Sequence, residues 1–406
     1  HALLEALWAA APAAMNMTDI HTATIRFTHA SYHRAGGWIC GRPRGRAAYT
    51  VDMTTRIAVF VTPHGFGHAA RSCAVINALK DRCASLRTTV FSTVPRWFFA
   101  ESLTAGFDYH HCANDVGLVQ DSPLVENLVA TDEALDRAPW LDREALDEMS
   151  FRLEKLGCDL VIADISPFGL RVARRAGLPS ILIENFTWDW IYDAYDDVRL
   201  AAFGQRQGEV FSSAALRIQT EPVCLETPGA RTVPPVSRRP RLKRDELRKE
   251  LGITPDQRLV LLSVGGLSPT QIGRGFRPPD GTILVAPGTG GEMESRGNPI
   301  WIPTMGGPYH PDLVAASDLV VAKLGYSTVA EVYHAGTAYA YLRRPAFPES
   351  PVLEAFVREH LPSAALPDDW LDHPSTTRIL GDLLEVPRPK DPRPNGAEAA
   401  AVSYTH

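Results

Sequence analysis

Apolar residues along this chain come in short continuous runs, each closed by glycine, proline or a small polar residue and followed by a stretch with helical spacing. Residues 57–62 (IAVFVT) form the first run. Such a run, with no polar alternation, is what a strand buried on both faces requires. It ends in Pro63-His64-Gly65-Phe66-Gly67-His68, and residues 69–80 then carry apolar positions at helical spacing. Runs at 88–91, 160–163 and 181–183 predict further strands, separated by segments that read as helices. This alternation predicts a parallel sheet with crossover helices, opened by a strand, a Gly-rich turn and a helix. The turn is G-x-G-H rather than G-x-G-x-x-G, so the dinucleotide fingerprint is absent.

Between Thr227 and Leu242 the pattern breaks. The run PGARTVPPVSRRPRLKR is rich in proline and arginine without an apolar period, which marks an interdomain linker at 231–241 with solvated arginines. Beyond it, 245–251 reads as a helix and 259–263 as a buried strand running into Gly265-Gly266. Strands follow at 283–285, 301–302, 319–321 and 338–342, while 269–297 is rich in Gly, Pro and Thr and carries a weak helix signal. The expected fold is α/β, with two doubly wound Rossmann-like domains facing each other across a cleft, the usual place for a ligand. The first would span 53–230 and the second 242–385, with a Pro-rich tail and short terminal helix over 386–406. Residues 1–52 begin at His1, lack a period and contain GRPRGR. They are expected to be a disordered or non-native extension ahead of a start at Met53, a targeting peptide being the alternative.

Composition refines this picture by exclusion. A chain of 406 residues, 45% hydrophobic and 22% charged, is an ordinary globular protein with room for two or three cores. A net charge of -6 gives no general attraction to nucleic acid, and no apolar run is long enough to be a transmembrane segment. Six cysteines without C-x-x-C spacing read as reduced thiols of a cytoplasmic protein, with no metal site.

Candidate chemistry gathers in residues 321–336 (VAKLGYSTVAEVYHAG). A strand end passes Lys323 and Gly325 and enters a helix at Ser327 or Thr328, with Thr328 and Glu331 at capping-box spacing. The open N–H groups of a helix start suit a diphosphate, to which Lys323 adds a point charge. Glu331 would accept from a ribose diol. The alternative makes Glu331 a cap of its own helix and Lys323 a solvated charge. Residues 185–190 (NFTWDW) follow a predicted strand, at the sheet edge where ligands collect. Their tryptophans either stack on a sugar or belong to the core. The irregular segment 115–154, opening with Asp115 and Gln120, is expected to be a substrate-facing insertion.

The order HGFGHAAR, DLVIAD, NFTWDWIY, LLSVGG and YHPDLVAASDLVVAKLGYSTVAE, followed by RRPAFPESP, resembles two-domain GT-B glycosyltransferases. In particular it is similar to the glycosyltransferase-like N-terminal half of plant L-arabinokinases, from Met53 onward. The resemblance implies a nucleotide-sugar donor, most often a UDP-sugar, bound mainly to the second domain. Gly265, Gly266 and the amides of Ser327 and Thr328 would approach the diphosphate, beside Lys323 and Gly325, and Glu331 would take the ribose. His310 and Asp312 would line the donor side, and Gly65 and Gly67 of the first domain's turn would also bind the donor. His68 would act as base on an acceptor hydroxyl or contact the phosphate, since a helix N-terminus disfavours the imidazolium. Asp164 and Asp189 are rival bases at strand ends, and Asp115, Gln120, Asn185 and Trp188 would lie on the acceptor side. The implied reaction is an inverting transfer to a small-molecule, lipid or glycan hydroxyl, without metal or cofactor. A non-catalytic nucleotide-sugar sensor and a UDP-sugar epimerase stay open on the same fold.

Overall fold

The computed structural model describes residues 54–122, 125–264, 278–287, 298–303, 305–389 and 393–403. Gly265, Gly266, most of 269–297 and the expected extension 1–52 lie outside them. Nine strands precede residue 240 among the described residues: β1 (Arg56–Val61), β2 (Arg87–Ser92), β3 (Asp108–His111), β4 (Gln120–Ser122), β5 (Val125–Glu126), β6 (Leu160–Asp164), β7 (Ser180–Glu184), β8 (Leu216–Thr220) and β9 (Arg231–Val233). Seven of them form one sheet in the order β3-β2-β1-β6-β7-β8-β9, parallel throughout, while β4 and β5 pair as a separate hairpin. The second sheet joins β10 (Arg258–Ser263), β11 (Thr282–Pro287), β12 (Ile300–Ile302), β13 (Leu319–Lys323), β14 (Ala338–Leu342) and β15 (Ser363–Ala365). Its order is β12-β11-β10-β13-β14-β15, also parallel.

The continuous apolar runs are explained by layers on both faces. Along β1, Ile57, Val59 and Val61 face one core and Ala58 and Phe60 face another. The second sheet is covered in the same way, with Leu259 and Leu261 on one side and Val260 and Leu262 on the other. Each sheet reverses strand order next to its first strand, at β1/β6 and at β10/β13. In an open parallel sheet such a reversal of strand order leaves a crevice outside the carboxyl ends of the strands.

One expectation for the connecting segments needs correction. Residues 231–233 are not linker: they form β9, the edge strand of the first sheet. The terminal helix over the tail packs on the first domain. Helices used below are α1 (Phe66–Arg82), α2 (Arg96–Ser102), α3 (Trp188–Asp193), α4 (Val198–Phe211), α5 (Tyr326–Ala335), α6 (Ser350–His360) and α7 (Gly396–Ser403). Ala397, Ala400 and Ala401 of α7 enter the first domain's core beside Val233 and Val236. No helix among the described residues is long and apolar enough to cross a membrane.

Candidate functional site

Residues from both switch points line one interdomain cleft of about 470 Å³. Two helix starts meet in it. Helix α1 begins at Phe66 under Gly65 and α5 begins at Tyr326 under Gly325, neither with a side-chain cap. A methyl group added at Gly67 would lie 3.5 Å from Ser327 Oγ, so the two first turns are in contact. The N–H groups of a first helical turn have no carbonyl within their own helix, and here both sets border the cleft. The expected start at Ser327 or Thr328 is one to two residues late, and no capping box joins Thr328 to Glu331, because Glu331 is turned inward to other partners.

Behind the first turn lies a fully buried cluster. Asp164 ends β6 and takes four hydrogen bonds: from His68 Nδ1 (3.0 Å), Arg71 Nη2 (2.6 Å), Arg71 Nε (3.0 Å) and Ser72 Oγ (3.0 Å). Burial pushes its carboxyl up, but the Arg71 charge and the hydrogen bonds from His68 and Arg71 outweigh this and hold it down at about 2. Asp164 is therefore corrected from rival base to positioning residue, because every lone pair is occupied and no acceptor reaches it. His68 lines the cleft, and burial lowers its pKa, which keeps the ring neutral. A carboxylate that can only accept fixes the proton on Nδ1 and leaves Nε2 as the basic nitrogen. Ile165, directly after Asp164, holds φ at 40°, a strained value for a β-branched residue.

Arg71 was missed by sequence reasoning, although its spacing of three from His68 puts both on one helix face. It also donates to Asn185 Oδ1 (2.7 Å) and stacks over Tyr326 of the second domain (5.0 Å). Asn185 in turn donates to Glu349 Oε1 (2.7 Å) at the start of α6. A continuous polar chain thus crosses the cleft floor from Asp164 to Glu349. Burial raises the Glu349 pKa against the pull of Asn185 and Arg344. Glu349 was also missed.

On the second-domain wall, Glu331 is buried. Its Oε1 accepts from Arg238 Nη2 (3.0 Å) and Nε (3.2 Å), and Oε2 pairs with His310 Nδ1 (2.8 Å), whose Nε2 meets Ser263 Oγ (2.9 Å). Burial alone would raise the Glu331 pKa, but Arg238 and His310 lower it. A ribose would have only the second lone pair of Oε2. Arg238, expected as a solvated linker arginine, is buried and also donates to Ser102 Oγ of α2 (3.0 Å), bridging the domains. Asp312 is corrected too: its Oδ1 accepts from the backbone N–H of Arg241 and Leu242, away from the donor side.

The acceptor-side expectations divide. Gln120 and Asn185 line the cleft, while Asp115 and Trp188 lie beneath it. Trp188 is 0% exposed and donates to Asp115, which also accepts from Thr62 Oγ1 (2.7 Å), so these two hold the floor, and the indole packs against the rings of Tyr192, Phe186 and His64 rather than facing the cleft. Burial pushes Asp115 up to about 7. Asp189 is no cleft base: it faces α4, where a methyl at Gly208 would stand 3.1 Å from Oδ2. At the far end Lys323 and Arg344 meet His64, which burial and the charges of His68, Arg344 and Lys323 hold down at about 3.

The Arabidopsis thaliana L-arabinokinase is 31% identical over 306 residues, which is 73% of this chain and 29% of the relative's length. No family model matches the chain. Among solved structures, the spinosyn forosaminyltransferase superposes with a TM-score of 0.54 at 15% identity, covering 86% of this chain and 94% of its own. The chain has the GT-B fold. A Medicago truncatula glycosyltransferase complexed with UDP-glucose superposes on this GT-B architecture with a TM-score of 0.52 at 12% identity, over 87% and 94% of the two chains. At these identities the likeness shows the GT-B fold alone.

Proposed function

We propose that this protein is a glycosyltransferase that moves a sugar from a nucleotide-sugar donor to an acceptor hydroxyl. The observation that supports it best is the pairing of a neutral, Asp164-oriented His68 on one wall with open helix-start amides on the other. The diphosphate lies at the first turn of α5, where Ser327 and Thr328 offer N–H groups, with Lys323 beside them. Glu349 and Asn185 reach the sugar. His68 Nε2 takes the acceptor proton as its oxygen attacks the anomeric carbon, and the bond to the phosphate oxygen breaks on the opposite face, with inversion. The charge that develops on the diphosphate meets preset dipoles rather than reorganising water. The donor is a UDP-sugar on this reading, as in the Medicago complex, and the acceptor is a small-molecule, lipid or glycan hydroxyl.

The test is a thermal-shift titration of the full chain with UDP, dTDP and GDP and their sugars, then an assay of nucleotide release with an acceptor panel. A saturable shift with one nucleotide is expected, because binding to the folded state alone raises its stability. Release of that nucleotide only when acceptor is present marks a transferase. A bound sugar altered without release marks an epimerase, and a shift with neither change marks a sensor.

A further inference from the structure

The first-domain wall of the cleft beside α2 is aromatic and takes no part in the transfer chemistry. Phe66, the first residue of α1, lines it together with Trp97 and Phe98 of α2. Phe66 stacks face to face on Phe98, with ring centroids 4.8 Å apart and 4° between the planes, and meets Trp97 edge to face at 5.7 Å. Phe98 is buried and holds the stack from behind, while Phe66 is 47% exposed. A large apolar ring fixed on one face and open on the other is a platform for a flat partner.

Its position along the cleft selects that partner. The Arg238 guanidinium lies over the Phe98 ring (5.0 Å) and is bonded to Glu331, so the wall adjoins the ribose side. The charged groups there are matched among themselves: Glu331 with Arg238 and His310, and Glu101 with the nearby Arg238 and Arg241. This end therefore suits an uncharged group, and the diphosphate stays at the helix starts. The acceptor lies elsewhere. Phe66 and His68 are two residues apart, about 200° around a helix, so a hydroxyl held at His68 is not on the Phe66 face. Ile302, Pro303 and Pro308 line the cleft from the second domain and offer the other side of a flat group an apolar cover. We infer that the base of the donor nucleotide stacks on Phe66, with Trp97 at its edge. Donor binding is then divided: the second domain takes the diphosphate and ribose, and the first domain takes the base. This rests on the nucleotide-sugar reading above.

Calorimetric titration of the full chain with UDP, dTDP and GDP, repeated on Phe66→Leu and Phe66→Tyr, tests it. Leucine keeps the apolar bulk and the helix start but has no π face. Phe66→Leu is expected to weaken every nucleotide that binds the wild type by about tenfold or more, and by a similar factor for each, because every base presents a π face. Phe66→Tyr keeps the stack and is expected to bind like the wild type. If Phe66→Leu binds nucleotide as tightly as the wild type, the inference is overturned and the nucleotide site stands; a raised acceptor KM in that variant would then put the acceptor on the ring. Equal losses in Phe66→Leu and Phe66→Tyr also overturn it, because the turn and not the stacking would carry the effect. If no nucleotide binds the wild type, the nucleotide reading fails and this inference fails with it.

Discussion

The two glycine turns of this protein are built alike and used differently. Each follows the first or fourth strand at a switch point, and each starts a helix under an uncapped glycine at the same cleft. After β1, the helix carries His68 and Arg71 inward, where Asp164 at the end of the neighbouring strand receives them. After β13, the position at the end of the neighbouring strand β14 is Leu342, which offers no charge, so the turn contributes backbone N–H groups and Lys323 instead. The residue at the adjacent strand end therefore decides whether the same backbone geometry presents a tuned side chain or a bare dipole.

The contrast is broken most severely at His68. His68→Ala should lower transfer about 10²–10⁴-fold, the usual worth of a positioned base, while nucleotide affinity stays close to wild type. Nucleotide-release kinetics beside a binding titration check this. Equal losses in both would move His68 from proton transfer to phosphate contact.

Asp164→Asn strips the negative charge from beneath Arg71. Leaving that guanidinium buried without its counter-charge should cost about 3–5 kcal/mol, read from urea denaturation. A pH effect accompanies it. The carboxyl sits at about 2 in the fold against 3.8 for the free group. Its contribution is therefore fully present above pH 4 and is lost as the pH falls through 2, about 2 kcal/mol in all. Asp115, raised to about 7, has the opposite sign: its contribution is full below pH 4 and fades as the pH rises through 7. Asp115 is nearly flat over the acid window, but Glu331 and Asp318 are also held down and lose their contributions there. The Asp164 share is therefore the part of the loss that Asp164→Asn removes, and an undiminished loss between pH 4 and 2 in that variant would refute the assignment.

The contrast also shows what a sequence can carry. Runs such as 160–163 and 319–321 announce buried parallel strands because burial on both faces leaves no polar position to confuse the period. The turn at 64–68 is equally legible, and its histidine with it. Glu331 shows the limit. Its spacing from Thr328 fits a cap, yet the carboxylate bonds Arg238, 93 residues away, and a local pattern cannot register a partner that far along the chain. Glu349 and Arg344 escape for the same reason: they meet Asn185 and Glu126 across separations of 164 and 218 residues. Trp188 was ambiguous between ligand and core, and only the closure of Asp115 over its indole N–H decides for the core.

The smallest effects separate the two glycines themselves. Gly65 holds φ at 78° and ψ at 176°, a conformation left almost wholly to glycine, whereas Gly325 at -150° and 145° is extended backbone that any residue adopts. Space does not distinguish them: a methyl at Gly65 meets nothing within 4 Å, and one at Gly325 meets only the Lys323 carbonyl at 4.0 Å. Gly65→Ala should therefore cost about 1–3 kcal/mol through backbone strain alone. Gly325→Ala should cost about 0.5 kcal/mol, the scale of a changed N-cap. Relief of that strain would shift the first turn of α1 and carry His68 off Asp164, so Gly65→Ala should slow transfer more than it weakens nucleotide binding. Gly325→Ala leaves His68 in place and disturbs only the amides that hold the diphosphate, so its smaller effect should fall on nucleotide affinity. Paired melting curves and binding titrations of the two variants read both differences, and a common profile would mean that the turns share one task.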